Sequence, residues 1–398
     1  MTEKECTLLI NKHILICTNK EESQELEFIK NNFCGVVFED MKKLNDSDYL
    51  SDAMIYFCGD VKLNYDDIGI IKNKTIYVIE EFSNNYDKES IKYKLVKSDK
   101  IPINIHNVGV FIKKFVNCNK DYFGLISEEH KFQALTESNK QSNAFRKGIY
   151  LTKVVEDKDE IKFKLLRCSS NLSGPTDNFR LTDCEVIDQV NDITRQFFGD
   201  NAPLNHVLAQ IYENKTVENT QGIPKQKKAK IKAHSDKTKD MPRNGLIAFC
   251  TFYQESKNDY DTSCFTKLRF RLKDMVDSND LNLSRKFDVI LEPNSVFIIS
   301  LTTNRLYTHE IIPSSKPIDK IPTRMGYVIR CSKTDTTFKN DQTYIKEDNS
   351  DIPMNEADDD GVKQLKDFYY KENMTDSVIN YDKFYFSLNK GDYLKPIV

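Results

Sequence analysis

Five residues in the second half of this 398-residue chain have the types and spacing to do chemistry. They are His234 and Asp236 in His234-Ser235-Asp236, then His309, then Arg324 and Arg330. Two imidazoles and one carboxylate are the donor set that holds Fe(II) on one face and leaves the opposite face open to small ligands. His234 and Asp236 are two apart, so on an extended segment both side chains point the same way. A 2-oxo acid on the open face that carries a second carboxylate needs a cation at its far end. Arg suits this better than Lys, because its planar fork matches a carboxylate and it stays charged. Arg324 follows His309 and opens an apolar strand-like run, and Arg330, an even step further on, faces the same side. A lone His-x-Asp arises often by chance. Here the only histidines are His13, His106, His130, His206, His234 and His309, and two of them fall where this donor set needs them. His206, within another strand-like run, reads as a structural histidine.

The pattern resembles the Fe(II)/2-oxoglutarate-dependent dioxygenase superfamily and, within it, the AlkB-type nucleic-acid demethylases. The residues that carry the resemblance are Gln210-Ile211-Tyr212, His234-Ser235-Asp236, His309, and Arg324 to Arg330 in Arg-Met-Gly-Tyr-Val-Ile-Arg. Gln210 stands where that branch has Asn. The separations from Tyr212 to His234 and from Asp236 to His309 are longer than the branch's own, and the second includes a charged loop at Lys273 to Lys286. The resemblance implies that His234, Asp236 and His309 bind iron and form the catalytic centre. Arg324 would hold the distal carboxylate of 2-oxoglutarate, and Arg330 would lie near the carboxylate beside the iron. Tyr212, with Gln210 next to it, would hydrogen-bond the cosubstrate. The implied activity is hydroxylation or oxidative demethylation of a macromolecule, with O2 and 2-oxoglutarate consumed and succinate and CO2 released. Two alternatives stay open: a protein hydroxylase of prolyl or lysyl type, which shares the triad, and a jelly-roll scaffold that no longer binds metal.

The elements that must position these residues read as an α+β fold. Residues 1–115 alternate strand and helix: Leu8 to Cys17, a helix over Lys20 to Phe33, then Gly35 to Phe38, Ala53 to Phe57 and Thr75 to Ile79. That alternation favours a small α/β domain with a partly parallel sheet. Residues 116–146 read as a connecting region with a short helix. Residues 147–334 read as a double-stranded β-helix, or jelly roll, because many short strands are separated by turn residues. Within it we expect a hairpin of Gly148 to Val155 with Ile161 to Arg167, a helix over Asp183 to Phe198, and strands at Asn205 to Tyr212, Gly245 to Gln254 and Thr266 to Leu272. A second hairpin of Phe287 to Leu291 with Ser295 to Leu301 leads towards His309, and Arg324 to Ser332 is the last strand. Residues 335–361 carry many acids and read as a flexible acidic linker. The aromatic C-terminal segment, 362–398, has the composition to fold back on the core.

Net charge is -3, so bulk charge does not mark a nucleic-acid binder. Lys225 to Arg243 differs, with eight basic residues against Asp236 and Asp240 directly beside the proposed iron. Such a stretch could track a phosphate backbone, or could face a polypeptide substrate. The ten cysteines contain no Cys-x-x-Cys pair, which suits free thiols in a reducing compartment. Met1 to Glu5 offers no basic start to a signal peptide, and no apolar run reaches the roughly 18 residues of a membrane span. The expectation is an intracellular protein with no membrane association.

Overall fold

The computed structural model describes residues 7–9, 12–20, 23–39, 53–61, 76–86, 93–137, 140–168, 172–218, 221–254, 260–276, 283–381 and 383–398. Met1 to Glu5 and positions 277–282 of the charged loop lie outside them.

The N-terminal unit is a parallel sheet in the order Val36–Phe38, His13–Cys17, Met54–Cys58, Ile76–Ile79, Tyr93–Val96. His13–Cys17 is buried throughout, the signature of a parallel strand covered on both faces. Helix α1 (Gln24–Asn32) starts at Ser23, whose hydroxyl accepts from the Leu26 amide, and buries Leu26 and Ile29 against the sheet.

Eight strands of the described residues form the core that carries the chemistry. They are β1 (His206–Tyr212), β2 (Ile231–His234), β3 (Leu246–Tyr253), β4 (Lys267–Leu272), β5 (Lys286–Ile290), β6 (Ser295–Ser300), β7 (Tyr307–Ile312) and β8 (Arg324–Arg330). One sheet runs β1-β8-β3-β6 and the other β2-β7-β4-β5, all antiparallel. This interleaving of consecutive strands between two sheets is a jelly roll. The first sheet is extended by Lys140–Thr152 and Asp177–Asn178 beyond β1, and by Gly109–Ile112 and Ile103–Ile105 beyond β6. Its outer face packs Met325, Tyr327 and Ile329 beneath α2 (Tyr122–Glu129) and α3 (Leu181–Phe197). Its inner face packs Ile247, Phe249 and Phe297 against Leu268, Phe270 and Ile311 of the second sheet. Among the described residues no helix is long and apolar enough to cross a membrane.

Several boundaries differ from the sequence-based expectations. The strands at 103–105 and 109–112 belong to the large sheet, so the α/β unit ends near residue 100 and not 115. The connecting region is partly sheet, because Gln133–Glu137 pairs with Lys140–Thr152. Neither expected hairpin forms as drawn. The strand Lys140–Thr152 pairs with β1, while Glu160–Leu165 turns back on Val155–Asp157 in another sheet. Likewise β5 pairs with β4 and β6 with β3, so the turn at Glu292 to Asn294 carries the chain from one sheet to the other. The acidic linker is also a correction. Thr334–Lys339, Gln342–Glu347 and Ser350–Pro353 are strands of a sheet that includes Glu160–Leu165. Thr343 and Ile345 are buried and alternate with Gln342, Tyr344 and Lys346, Phe338 is buried beside them, and Lys339 pairs with Glu160 and Asp351. Alternation of apolar residues, which buries one face, outweighs net charge that stays in solvent. The C-terminal segment forms α5 (Asp359–Met374), preceded by α4 (Leu301–Leu306) in the core, and its last residues return to bond Ile397 N to the Thr176 carbonyl.

Candidate functional site

The pairing of β2 with β7 places His234 directly opposite His309, with ring centroids 4.5 Å apart. Asp236 follows β2 and turns its carboxylate to the same point. Its Oδ1 lies 3.6 Å from His234 Nε2 and 3.9 Å from His309 Nε2. The three ligand atoms all lie within 4.8 Å of one another, a spacing one metal ion could bridge. His234 Nδ1 is 2.9 Å from the Lys232 carbonyl. Donation to that carbonyl leaves Nε2 as the bare lone pair, the tautomer a metal requires.

The surroundings set the charges. Asp236 is buried, and its Oδ2 accepts from both Nε and Nη2 of Arg330 at 2.8 Å, which leaves Oδ1 for a metal. Burial pushes the Asp236 carboxyl up, but Arg330, His234 and His309 outweigh it and hold it well below the ordinary carboxylate range. Burial among Phe249 and Phe270, together with His234, pushes His309 down to about 3, so its ring is neutral near pH 7. Two imidazoles beside an ionised carboxylate match the donor set of a borderline divalent transition metal.

The inner face of the large sheet, which the triad's own sheet packs against, carries a second cluster. Arg324 opens β8, is only 4 % exposed, and lies with its guanidinium carbon 4.1 Å over the Tyr212 ring. Gly326 makes this possible, since a Cβ there would sit 3.1 Å from Arg324 Nη1 and 3.2 Å from the Tyr212 ring. The Tyr212 hydroxyl donates to Gln210 Oε1 at 3.2 Å. Arg324 Nε and Nη2 are buried and donate to nothing. An unsatisfied buried donor costs about 1–3 kcal/mol and a charged one more, so these groups are poised for an anion. Thr251 Oγ1 and Arg146 Nε are also buried without partners. Register puts Thr251 opposite Gly326 and Arg146 opposite Tyr212, so both share this face.

All seven residues singled out in the sequence thus stand on the interior of the jelly roll. Asp236 meets His234, His309 and Arg330, while Gln210, Tyr212 and Arg324 form the second group. His206 stays apart from the metal group. It is buried against Tyr150 at 5.1 Å, and burial pushes its imidazole down to about 3. Residues the sequence did not flag include Arg146 and Thr251, whose facing is decided by strand register. They also include Asn304, whose Oδ1 accepts from the Asp236 amide at 2.8 Å while its Nδ2 donates to the Asp236 carbonyl at 3.0 Å.

The basic stretch is divided. Lys225 and Lys227 lie on an exposed strand, Pro224–Lys227, paired with Lys215–Glu218, and Lys230 and Lys232 are exposed. Lys228 instead reaches the Ser314 carbonyl at 2.8 Å, and Lys237 and Lys239 turn inward over Tyr369 and Phe384.

No family model matches the chain, and no curated protein matches it. Among solved structures, the chain is similar to a prolyl-4-hydroxylase from Pseudomonas putida, with 10% sequence identity and a TM-score of 0.31 over 56% of this chain and 91% of that one.

Proposed function

We propose that the chain is an Fe(II)- and 2-oxoglutarate-dependent oxygenase. The observation that carries this reading is the convergence of His234 Nε2, His309 Nε2 and Asp236 Oδ1 in the jelly-roll interior, together with a buried Arg324 whose Nε and Nη2 have no acceptor. Iron held by the triad supplies the power to oxidise an unactivated C–H bond with O2, 2-oxoglutarate being the co-reductant.

The chain's own residues do the rest. Arg330 occupies Asp236 Oδ2 and fixes the carboxylate with Oδ1 towards the two imidazoles. Lys232 fixes the His234 tautomer, and burial keeps His309 neutral. Arg324 receives the distal carboxylate of 2-oxoglutarate in a charge-assisted fork. Tyr212 backs its guanidinium plane, and Gln210 holds the Tyr212 hydroxyl. Phe249 and Phe270, packed on His309, keep water from that side of the centre. A scaffold reading has no use for a desolvated cation that donates to nothing.

For substrate, we read hydroxylation or oxidative demethylation of a macromolecule, with nucleic acid ahead of a polypeptide. An Arg clamp with a second Arg six residues on supports the AlkB-type reading over the prolyl- or lysyl-hydroxylase type. The exposed Lys225 and Lys227, on the strand that leads into β2, offer phosphate contacts.

The test is anaerobic titration of the purified protein with Fe(II) and 2-oxoglutarate, following the visible metal-to-ligand charge-transfer band. A band in the wild type, lost in His234→Ala and requiring more 2-oxoglutarate in Arg324→Ala, supports the reading. Folded wild-type protein with no band overturns it. Reversing Lys225 and Lys227 to Glu then tests the substrate: weaker single-stranded nucleic-acid binding with a shallower salt dependence supports nucleic acid, and unchanged binding favours a polypeptide.

A further inference from the structure

The segment that carries His234 and Asp236 is held from outside by a helix more than a hundred residues later in the chain. Ser235 stands between the two ligands and is fully buried, so its amide must find an acceptor or cost free energy. That acceptor is Asn373 Oδ1, at 2.7 Å, in the last turn of α5. The Asn373 amide is itself oriented, because its Nδ2 donates to the Tyr369 carbonyl at 3.0 Å. Two residues beyond Asp236, the Thr238 amide donates to Glu372 Oε1 at 3.0 Å, and the Thr238 hydroxyl donates to the same oxygen. The Tyr381 hydroxyl donates to the other Glu372 oxygen. Both backbone amides that bracket Asp236 are therefore taken by neighbouring side chains of one helix turn.

The helix is tied down in return. Lys273 Nζ donates to the Glu372 and Thr375 carbonyls at 2.6 and 3.0 Å, capping the end of α5 where cations are favoured. Arg305 Nη1 donates to the Asp376 carbonyl at 2.8 Å, and the Tyr369 hydroxyl donates to the Arg167 carbonyl at 3.1 Å. On the inner side, the Ser235 hydroxyl donates to the carbonyl of Tyr307, two residues before His309. A continuous path of hydrogen bonds thus runs from α5 through Ser235 to the strand that bears the third ligand.

We propose that Asn373 and Glu372 are positioning residues, and that α5 is a clasp which sets the pitch of the His234–Asp236 segment and so the affinity and geometry of the metal site. This rests on the metal reading above. Outer partners that orient first ligands are worth about 10–100-fold in metal affinity. Binding at the two places is reciprocal, so metal must in turn steady α5.

The experiment titrates the full-length protein with Co(II), a spectroscopic substitute for iron, and records its d–d absorption for wild type, Asn373→Leu and Asn373→Asp. Leu keeps the size but cannot accept from the Ser235 amide, whereas Asp can. The expected result is Co(II) affinity lower by about 10–100-fold in Asn373→Leu, with a changed d–d spectrum, and recovery of both in Asn373→Asp. Wild-type affinity and spectrum in Asn373→Leu overturn the clasp while leaving the metal site intact. Failure of the wild type to bind Co(II) removes the metal site, and the clasp with it. Should Asn373→Leu not fold, hydrogen exchange on the wild type decides the matter. Slower exchange in α5 on adding Co(II) supports the clasp, and unchanged exchange overturns it.

Discussion

Two clusters of histidine and carboxylate side chains lie on either side of the large sheet, the inner one carried by the second sheet that faces it, and only one has room for chemistry. On the inner side His234, Asp236 and His309 converge, and on the outer side Glu129, His130 and Asp183 do. Donor identity is almost the same in both. The difference lies in what is already satisfied. His130 Nδ1 is 2.8 Å from Asp177 Oδ2, and its Nε2 is 2.7 Å from Asp183 Oδ2. Arg180 Nη2 donates to the other Asp177 oxygen, and the Tyr327 hydroxyl donates to the other Asp183 oxygen. Glu129 Oε2 is buried without a partner, but both ring nitrogens of His130 are taken by carboxylates, which leaves the imidazole no lone pair for a metal, so this is an imidazolium latch holding α3 over the sheet. In the inner cluster both Nε2 atoms and Asp236 Oδ1 point at a common space, and Arg324, stacked on Tyr212, has no acceptor for Nε or Nη2. Closed networks stabilise, whereas open ones cost stability and leave binding energy for a ligand.

The comparison can be broken most directly at the ligands. His309→Ala should lower Co(II) or Fe(II) affinity by more than about 100-fold, beyond what any outer partner contributes, with Tm little changed; titration calorimetry reads it. The same kind of change at the latch should act on stability alone. His130→Ala removes the cation held between the buried Asp177 and Asp183 carboxylates and should cost about 3 kcal/mol in urea unfolding, with metal affinity at the wild-type value once the protein is folded. Metal loss in that variant would erase the distinction between the two clusters.

Arg324→Met tests the cost of the open site. With 2-oxoglutarate it should require about 10–100-fold more cosubstrate to reach half of the charge-transfer band. Without cosubstrate it should be more stable than wild type by about 1 kcal/mol, since a buried cation with idle donors is replaced by an apolar chain. A loss of stability would mean that the stacking of Arg324 on Tyr212 outweighs the cost of its idle donors.

The smallest effect is in pH. Burial works against the His130 charge, but Asp177 and Asp183 outweigh it and raise its pKa to about 9. A group raised in the folded state stabilises fully below the unfolded value of about 6.5, and that contribution fades as pH rises through the folded value. Urea midpoints should therefore fall between about pH 6.5 and about 9, and His130→Gln should flatten that part of the profile. A wild-type profile that rises over the same range would contradict the latch.

Much of the site was legible because it is written in short-range periods. His234 and Asp236 share a face through a spacing of two, and so do Arg324 and Arg330, whatever the rest of the chain does. The strands around them were visible for the same reason, from Leu246–Tyr253 to Arg324–Arg330. Sheet membership was less legible. The turn at Glu292 to Asn294 looks like a hairpin locally, but it changes sheets because β5 and β6 find better partners elsewhere. Net charge misled at 335–361, where the many acids drew attention from the strands that bury Phe338 and Ile345.

By itself, the sequence determined which donors exist, which of them share a strand face, and therefore the donor set of the candidate centre. Only the tertiary structure decided which donors remain free. His130 and His309 are equally plain as letters, and their fates differ because Asp177 and Asp183 fold onto the first while Phe249 and Phe270 fold onto the second. The same holds for Asn304 and Asn373, which secure the ligand segment across 68 and 138 residues of chain. Such bonds depend on the directions of individual side chains in the packed state, and no local pattern of residues encodes those directions.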